Sequence, residues 1–400
     1  MALNNTYATI YLNDGTASWN ISSYLLEVMT DVGKNRALDS FEPGGATITV
    51  KNLNREFDPL NTSSSLYGVV IPRASYIIIG NLNGATNRKI FSGFVDDWNF
   101  SYDPSGESIA TISATEGTGL FARQNIFSTN FPAELSGSRV QRLLDDDGVN
   151  FENPFGPALA PTVIYPGTRM LAQDSDCFGQ NALTYLQNIE RSEQGAFYYN
   201  IDGSLVFADA SVGPSSFGIN TYRFFTDDGT AGAYPYVSID IAYSVELLYN
   251  KVTATSADGT NTAGGTDSES QLTYQTSELQ VSDVLYNDDA QLTNLASNMI
   301  SKYSTPELRV NSVSVSFFSL DSSLQDNLLL NVAINSFCKV KFTPNGLGSA
   351  IERFVRVIGI RHSITLNDYI ITFSFESLRN PNLVLDDSEF GKLDYYSLGM

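Results

Sequence analysis

A period of two dominates the hydrophobic pattern of this chain, and it is clearest between Gly33 and Asn61. One face of the central run carries Ala46, Ile48 and Val50, and the other carries Thr47, Thr49 and Lys51. This alternation predicts a half-buried β-strand that starts after Pro43-Gly44-Gly45. A long turn follows, and we expect Phe57 and Leu60 to anchor it as a packed loop.

Similar patterns fill the rest of the first segment, residues 1–124. The predicted strands are Tyr7–Leu12, Ile21–Val32, Tyr76–Ile79, Ile90–Phe100 and Ile109–Ser113. The turn residues Asp103-Pro104-Ser105-Gly106 join the last two as a hairpin. Short strands with polar turns at this spacing favour a small antiparallel barrel or sandwich.

The second segment, residues 125–240, changes to a helical period. Ser138 is the predicted N-cap of a helix over Arg139–Asp145 that stops by Gly148. Asp174 or Ser175 is predicted to cap a second helix, which ends before Gly195. Its expected inward residues are Phe178, Ala182, Tyr185, Leu186 and Ile189. A hairpin with an Asp202-Gly203 turn should follow, between Ala196–Tyr199 and Leu205–Phe207.

The third segment, residues 241–385, returns mainly to strands. A strand is expected within Ser244–Ala254, followed by a mobile Gly-rich loop over Asp258–Ser270. Asp288 or Asp289 should open a helix that Pro306 cannot continue. The inward residues of that helix are Leu292, Leu295, Ala296, Met299 and Tyr303. The later strands are Val310–Phe318, Ser336–Phe342, Phe354–Thr365 and Tyr369–Phe375. Residues 386–400 are predicted to be a loosely held acidic tail.

Two of the predicted hairpins are alike. Ile90–Phe100 with Ile109–Ser113, and Val357–Ile364 with Tyr369–Phe373, both place a glycine early in the first strand. Chance could produce this likeness, and so could an internal duplication. The resulting fold prediction is mainly β, with two small antiparallel barrel or sandwich domains flanking a mixed α/β middle region.

Charge narrows the classes of partner. The chain has 44 acidic and 23 basic residues, a formal net charge of −21. Backbone contacts to nucleic acid need clustered Lys and Arg, so stable nucleic-acid binding is not expected. An acidic wall would instead repel DNA, which suits a conduit through which DNA passes. The same charge also serves solubility, and composition alone favours that explanation.

No catalytic, cofactor-binding or metal-binding residue is predicted. His362 is the only histidine, and its strand context favours an outward or interfacial position over a general base. Asp96-Asp97 beside Trp98 resembles a sugar site, but neighbouring strand residues point to opposite faces. Asp145-Asp146-Asp147 lacks the later ligands of a calcium loop, and Asp227-Asp228-Gly229 indicates a turn.

The remaining signals are also structural. Cys177 and Cys338 form no disulfide framework or zinc motif. Neither Gly44-Gly45 nor Gly264-Gly265 is followed by the lysine and helix of a phosphate loop. The N-terminus lacks a signal-peptide pattern, and no apolar run approaches the roughly 20 residues of a membrane span. We therefore expect a cytoplasmically made protein without membrane insertion.

The order of several short motifs resembles the tail-hub (baseplate hub, minor tail) proteins of tailed bacteriophages. The motifs are Leu38-Asp39-x-Phe41-Glu42-x-Gly44, Arg55-x-Phe57-Asp58-Pro59, SEQGAFYYNIDGSLVF and Tyr249–Thr253. The resemblance implies a structural, non-enzymatic virion protein at the tail tip, without cofactors. It further implies a homotrimer whose two β domains per subunit make a pseudo-sixfold ring on the sixfold tail tube. The implied partners are the tail tube or distal tail protein and a receptor-binding fibre or tip protein.

Two alternatives stay open. Abundant Tyr and the acids near Trp98 are compatible with a carbohydrate-binding β-protein or a glycan hydrolase of the tail tip. A distal-tail or fibre-attachment protein of the same particle would differ from a hub only in position and stoichiometry.

Overall fold

A computed structural model of the chain describes residues 9–13, 17–73, 76–81, 88–104, 106, 108–151, 162–201, 203–212 and 223–378. Strands outnumber helices in these ranges, which confirms the mainly-β prediction. The acidic tail expected over 386–400 lies outside the described residues.

The first part of the chain is almost entirely strand. Its strands are β1 (Thr9–Asn13), β2 (Ser18–Asn20), β3 (Leu25–Gly33), β4 (Glu42–Lys51), β5 (Tyr76–Asn81), β6 (Arg88–Ser101) and β7 (Ile109–Thr115). The apolar face predicted for β4 is buried. The strand begins earlier than predicted, before Pro43, because Gly33 of β3 already pairs with Glu42. β6 and β7 form the predicted hairpin.

The middle part mixes short strands with two helices. Its elements are β8 (Glu134–Leu135), α1 (Ser136–Leu144), β9 (Thr162–Ile164), β10 (Met170–Leu171), α2 (Ala182–Glu193), β11 (Ala196–Tyr199), β12 (Leu205–Ala208), β13 (Arg223–Thr226) and β14 (Tyr234–Pro235). β11 and β12 pair as the predicted hairpin. Gly203 adopts a φ of +91° in its turn, a conformation that glycine reaches without strain.

The last part completes the fold. Its elements are β15 (Ser238–Ala242), β16 (Lys251–Ser256), β17 (Thr262–Thr266), α3 (Ser268–Tyr274), β18 (Glu278–Val284), α4 (Asp289–Tyr303), β19 (Arg309–Ser316), α5 (Ser322–Asn331), β20 (Phe337–Phe342), β21 (Ile351–Ile364) and β22 (Tyr369–Ser377). α4 starts as predicted, because the Asp288 carboxylate accepts a hydrogen bond from the backbone N–H of Ala290 at 2.9 Å. It ends at Tyr303, ahead of Pro306.

Fourteen of the described strands form one sheet, in which the same five-strand arrangement occurs twice. The first repeat has the order β3-β4-β7-β6-β5 and the second has the order β15-β19-β22-β21-β20, with every neighbouring pair antiparallel. When the five strands of a repeat are numbered along the chain, they lie side by side in the sheet in the order 1-2-5-4-3. The expected barrels are not observed, since no set of described strands closes on itself.

The two repeats also share local irregularities. The long hairpin of each repeat contains a bulge, at Asp96 in β6 and at Ile358 in β21. A residue with positive φ precedes the third strand of each repeat: Arg73 at +65° and Asn335 at +69°. The backbone N–H of Arg73 donates to the carbonyl of Val95 at 2.7 Å, and that of Asn335 donates to the carbonyl of Val357 at 2.8 Å. Bulges and left-handed residues at matching places extend the likeness beyond the two hairpins.

Two large apolar cores stabilise the fold. The first lies along the fourteen-stranded sheet and takes buried side chains from Ile10 to Phe375. The second packs α1, α2 and α4 against β16 and β18, and therefore joins the middle of the chain to residues 252–300. The division at residues 124, 240 and 385 stays a prediction.

Two helix starts differ from the prediction. α1 begins at Ser136, two residues before the proposed cap Ser138, and the Ser136 hydroxyl donates to Glu193 at 2.7 Å. α2 begins at Ala182, well after Asp174 or Ser175. Its cap is Asn181, whose side chain accepts from the N–H of Thr184 at 3.1 Å. Phe178 precedes the helix and is 64% exposed, so its predicted inward position is wrong.

Two loop predictions also need correction. Leu60 is 81% exposed, whereas Phe57 is fully buried and anchors the long turn together with Leu66, Val69 and Val70. The stretch from Asp258 to Ser270 is not a mobile loop, because β17 pairs with β16 there and Asp267 caps α3. The sequence patterns predict neither α3 nor α5. In both helices polar residues outnumber apolar ones, which hides the helical period of the apolar residues. A capping aspartate precedes each helix.

Phe57→Ala tests the packed turn. The Phe57 ring stacks on Trp98 with centroids 6.1 Å apart and meets Tyr24 edge-on at 5.3 Å. Removing this buried ring should lower the free energy of unfolding by about 3–5 kcal/mol. Urea denaturation followed by fluorescence measures it. Leu60→Ala in the same turn is the control, with an expected change below about 0.5 kcal/mol; equal effects would contradict the assigned anchor.

Candidate assembly interface

Direct strand pairing joins the two repeats. Residues Val28–Gly33 of β3 pair antiparallel with Gly359–Ile364 of β21. The backbone N–H of Lys34 extends this ladder by donating to the carbonyl of Ile358 at 2.8 Å. Arg361 and Asp31, which are directly opposite in register, form an ion pair across the two strands. The first strand of the first repeat, β3, thus pairs edge to edge with β21, which is the fourth strand of the second repeat along the chain.

Two glycines permit this close approach. A Cβ atom added to Gly33 would lie 2.3 Å from the carbonyl oxygen of Ile358, and one added to Gly359 would lie 2.5 Å from that of Lys34. Gly33 also has a φ of +89°. A side chain at either position would therefore push the strands apart.

A cluster of five charged side chains lies beside this junction and lines a cavity of about 380 Å³. Its members are Lys34, Glu190, Lys302, Arg356 and Glu376. Glu376 accepts ion pairs from both Lys302 and Arg356. Lys34 reaches Glu190 of α2 at 3.8 Å, so the cluster also ties the middle of the chain to the sheet. Three cations thus face two carboxylates in a network in which Lys34, Glu190 and Glu376 are buried and Lys302 is partly exposed.

The pKa values reflect this compensation. Burial would raise the pKa of Glu376, but the charges of Arg356, Lys302 and Lys34 outweigh burial and hold the pKa well below its usual range. Burial lowers the pKa of Lys34, and Glu190 opposes that effect. Burial raises the pKa of Glu190 to about 7 although Lys34 is close. The two carboxylates of the cluster therefore differ: Glu376 stays charged at neutral pH, whereas the pKa of Glu190 is about 7.

A second buried acid lies at the start of β4. Glu116 accepts a hydrogen bond from the N–H of Gly44 at 2.8 Å, and no ion pair to it is present in the described residues. Burial raises the pKa of Glu116 to about 8. A Cβ atom on Gly44 would lie 2.6 Å from this carboxyl group. Gly44 thus makes room for a buried carboxyl group of the chain itself.

Exposed apolar side chains cluster at two places on the surface. Val237, Tyr243 and Val245 flank β15 and are 59%, 69% and 69% exposed. The long turn after β4 exposes a second set: Leu53, Leu60, Tyr67 and Ile71. Grouped exposure of this kind marks interaction surfaces more often than isolated exposed residues do.

His362 is not on an outward face. It follows the parity of Ile360 and Ile364, and all three side chains are buried in β21. Its Nδ1 lies 3.0 Å from the hydroxyl of Tyr369. Burial lowers the pKa of His362 to about 3, so the ring stays neutral in the core. The residue is a packed core histidine.

Other side chains of the protein contact Asp96 and Trp98, the residues of β6 that resemble a sugar-binding site. Asp96 pairs with Arg73 at 2.6 Å and accepts from the hydroxyl of Thr115. Phe57 covers a face of the Trp98 ring. Asp97 is exposed, whereas Asp96 lies at the bulge of β6 and is engaged by Arg73 and Thr115. The structure does not bring these acids together as a pair.

The other acidic motifs hold loops. Asp146 accepts backbone hydrogen bonds from Phe127, Ser128 and Gly148 at 2.8–2.9 Å. Burial would raise the pKa of Asp146, but these bonds outweigh it and lower the pKa. Asp228 pairs with Lys341 at 2.8 Å and fixes the predicted turn to β20.

Among the described residues, neither cysteine belongs to a disulfide or to a metal-binding cluster. Cys177 and Cys338 are both buried free thiols. Within the ranges that the structure describes, no group of three His, Cys, Asp or Glu side chains could hold a metal ion. Nor does any described helix have the length and apolar character to cross a membrane. The prediction that the chain has no catalytic or cofactor site stays a prediction.

Glu376→Gln tests the cluster at the junction. The substitution leaves Arg356 and Lys302 without their shared carboxylate, so unfolding free energy should fall by about 3–5 kcal/mol. Chemical denaturation at neutral pH measures the loss. Glu246→Gln is the matched control: it breaks the exposed pair with Arg36, at 3.4 Å, and should cost less than about 1 kcal/mol. A result in which both variants lose little would show that the cluster does not stabilise the fold.

Glu116→Gln tests the protonated acid. Between pH 4.5 and about 8 the unfolded chain releases the Glu116 proton while the folded chain keeps it. The stability that this group contributes is therefore complete below pH 4.5 and is lost as pH rises, by up to about 1.4 kcal/mol per pH unit. Denaturation from pH 5 to 8 should show a shallower decline for the variant. The exposed neighbour Glu42→Gln should keep the wild-type slope; identical slopes in all three proteins would refute the assignment.

Comparison with known proteins identifies the fold. No family model matches the chain, and no curated protein matches it. The 43 kDa tail protein of prophage MuSo2 from Shewanella oneidensis is 14% identical, with a TM-score of 0.56 over 92% of this chain and 97% of that one. A tail protein from Neisseria meningitidis MC58 is 12% identical, with a TM-score of 0.57 over 92% and 96%. A lidless PdpA–VgrG complex is 10% identical, with a TM-score of 0.50 over 95% and 67%. The chain has the fold of phage tail proteins, and this fold runs through nearly all of it.

Proposed function

We propose that this chain is a structural, non-enzymatic component of a phage or phage-like tail. Three copies form a hub that caps the distal end of the tail tube and anchors a fibre or tip protein. The observation that carries the proposal is the five-strand arrangement that occurs twice in one sheet. Three such chains present six similar units, which is what a ring needs to stack on a sixfold tube.

Three further observations support the proposal. The chain shares its fold with tail proteins over more than nine-tenths of its length. The acidic and histidine motifs are engaged in packing and ion pairs. The net charge of −21 suits a channel wall that DNA passes without binding, and we include that role in the proposal.

The alternatives differ in what supports them. No observation favours a glycan site, because Arg73 neutralises Asp96 and Phe57 covers Trp98. A distal-tail or fibre-attachment role would use the same fold with another stoichiometry. Position in an electron-microscopy map of the assembled particle separates that role from a hub.

The purified chain is expected to form a trimer. Mass photometry at micromolar concentration should give three times the 43.7 kDa mass of one chain, and negative-stain images should show rings. Exclusively monomeric protein with no rings would contradict the hub. A sixfold assembly of single chains would favour the distal-tail alternative.

A further inference from the structure

The two repeats differ in one respect: a strand edge that is paired in the second repeat is open in the first. In the second repeat β21 has β22 on one side, while its other side carries β20 and then β3. In the first repeat β6 has β7 on one side, while its other side carries only β5, which ends opposite Phe94. Asp97–Ser101 therefore have no strand on the β5 side within the described residues. We call this side of Asp97–Ser101 the β6 edge.

The second repeat ends in an open strand as well. β15 pairs with β19 on one side, and no described strand lies on its other side. We call that other side of Ser238–Ala242 the β15 edge. Its counterpart in the first repeat is the side of β3 that pairs with β21. Each chain thus has one open edge of the type that β3 uses and one of the type that β21 uses.

We propose that β15 of one copy pairs antiparallel with the β6 edge of a second copy, in the register of the β3–β21 junction. This inference rests on the proposed homo-oligomer and gives its contact. The partner is a second copy, because within one chain β21 already pairs in this way with β3, the counterpart of β15. Pairing of this kind is head-to-tail, so it closes into a ring when the rotation permits.

The register follows from rows of residues across the two repeats. In the first repeat the row is Val28, Ile48, Ile112 and Trp98, and in the second it is Ile239, Val313, Phe373 and Ile360. Asp240 therefore corresponds to Met29, and Ser101 corresponds to Ser363. Because Met29 lies opposite Ser363 within the chain, Asp240 of one copy should lie opposite Ser101 of the next.

Side chains at both edges fit a covered surface. Tyr102, which directly follows the β6 edge, is 51% exposed. Val237 and Tyr243 flank the β15 edge with most of their apolar area exposed. An open edge beside exposed apolar residues is a liability in a monomer and an ordinary feature of an interface.

Cysteine pairs test the register directly. Residues opposite each other in antiparallel strands have Cα atoms about 4.5–5.5 Å apart, within the range of a disulfide. Ser101→Cys/Asp240→Cys should cross-link between chains under mild oxidation and give species of two and three chains on a non-reducing gel. A mixture of the two single variants should stop at two chains. Cys177 and Cys338 are buried and present in every variant, so they do not distinguish them.

Two control pairs accompany this variant. Met29→Cys/Ser363→Cys should form a disulfide within one chain, with no increase in mass. This result would show that cysteines in the junction register are oxidised under the conditions used. Ser101→Cys/Leu272→Cys should form none, although Leu272 is 90% exposed. Mass photometry of each unoxidised variant reports the oligomer independently.

The outcomes separate the two proposals. Suppose that Ser101→Cys/Asp240→Cys forms trimers but no disulfide between chains, in conditions where the intrachain control reacts. That result would overturn the strand pairing and leave the hub in place. Monomers alone would overturn both. Cross-linked ladders beyond three chains would support the pairing and overturn the closed trimer.

Discussion

Backbone pairing between β3 and β21 is the contact on which the rest of the architecture depends. It merges two similar sets of strands into one sheet and places residues 28–33 beside residues 359–364. Gly33 and Gly359 allow it, since a Cβ atom at either position would collide with a carbonyl oxygen. Because the ladder uses main-chain groups, it imposes few other demands on sequence. A fold held in this way is compatible with the low identity, 12–14%, to the tail proteins that share it.

The charged cluster beside the junction contributes specificity at a cost. Burying Lys34, Arg356 and Glu376 loses hydration, which ion pairing recovers only when every partner is in place. Lys34 follows β3, Glu190 lies on α2 and Glu376 lies on β22, so the network is complete only when three separate parts of the chain are assembled. An apolar cluster of the same size would tolerate alternative arrangements. The charges thus select one orientation of the middle elements against the sheet.

Local signals in the sequence predicted strands and hairpins well and cap positions poorly. The alternation in β4 and the Asp288 cap depend on neighbouring residues, and both could be recognised. Ser138 and Asp174 satisfy the same capping rules, but α1 begins earlier, at Ser136, whose hydroxyl donates to Glu193, and Asn181 rather than Asp174 caps α2. The buried acids Glu116 and Glu190 gave no signal at all. Their environment is created by residues more than 70 positions away.

The repeated strand arrangement shows both the reach and the limit of sequence patterns. Two hairpins with matching glycines were visible, whereas the matching strand order requires pairings between residues up to 76 positions apart, and the junction of the two repeats pairs residues up to 336 positions apart. Once that order is known, the difference between the repeats becomes informative. When two similar units pair through different edges, each unit keeps the edge that the other unit uses. Among the described residues this leaves the β6 edge and the β15 edge open, and the proposed pairing of one with the other between identical chains would repeat a contact that the fold already contains.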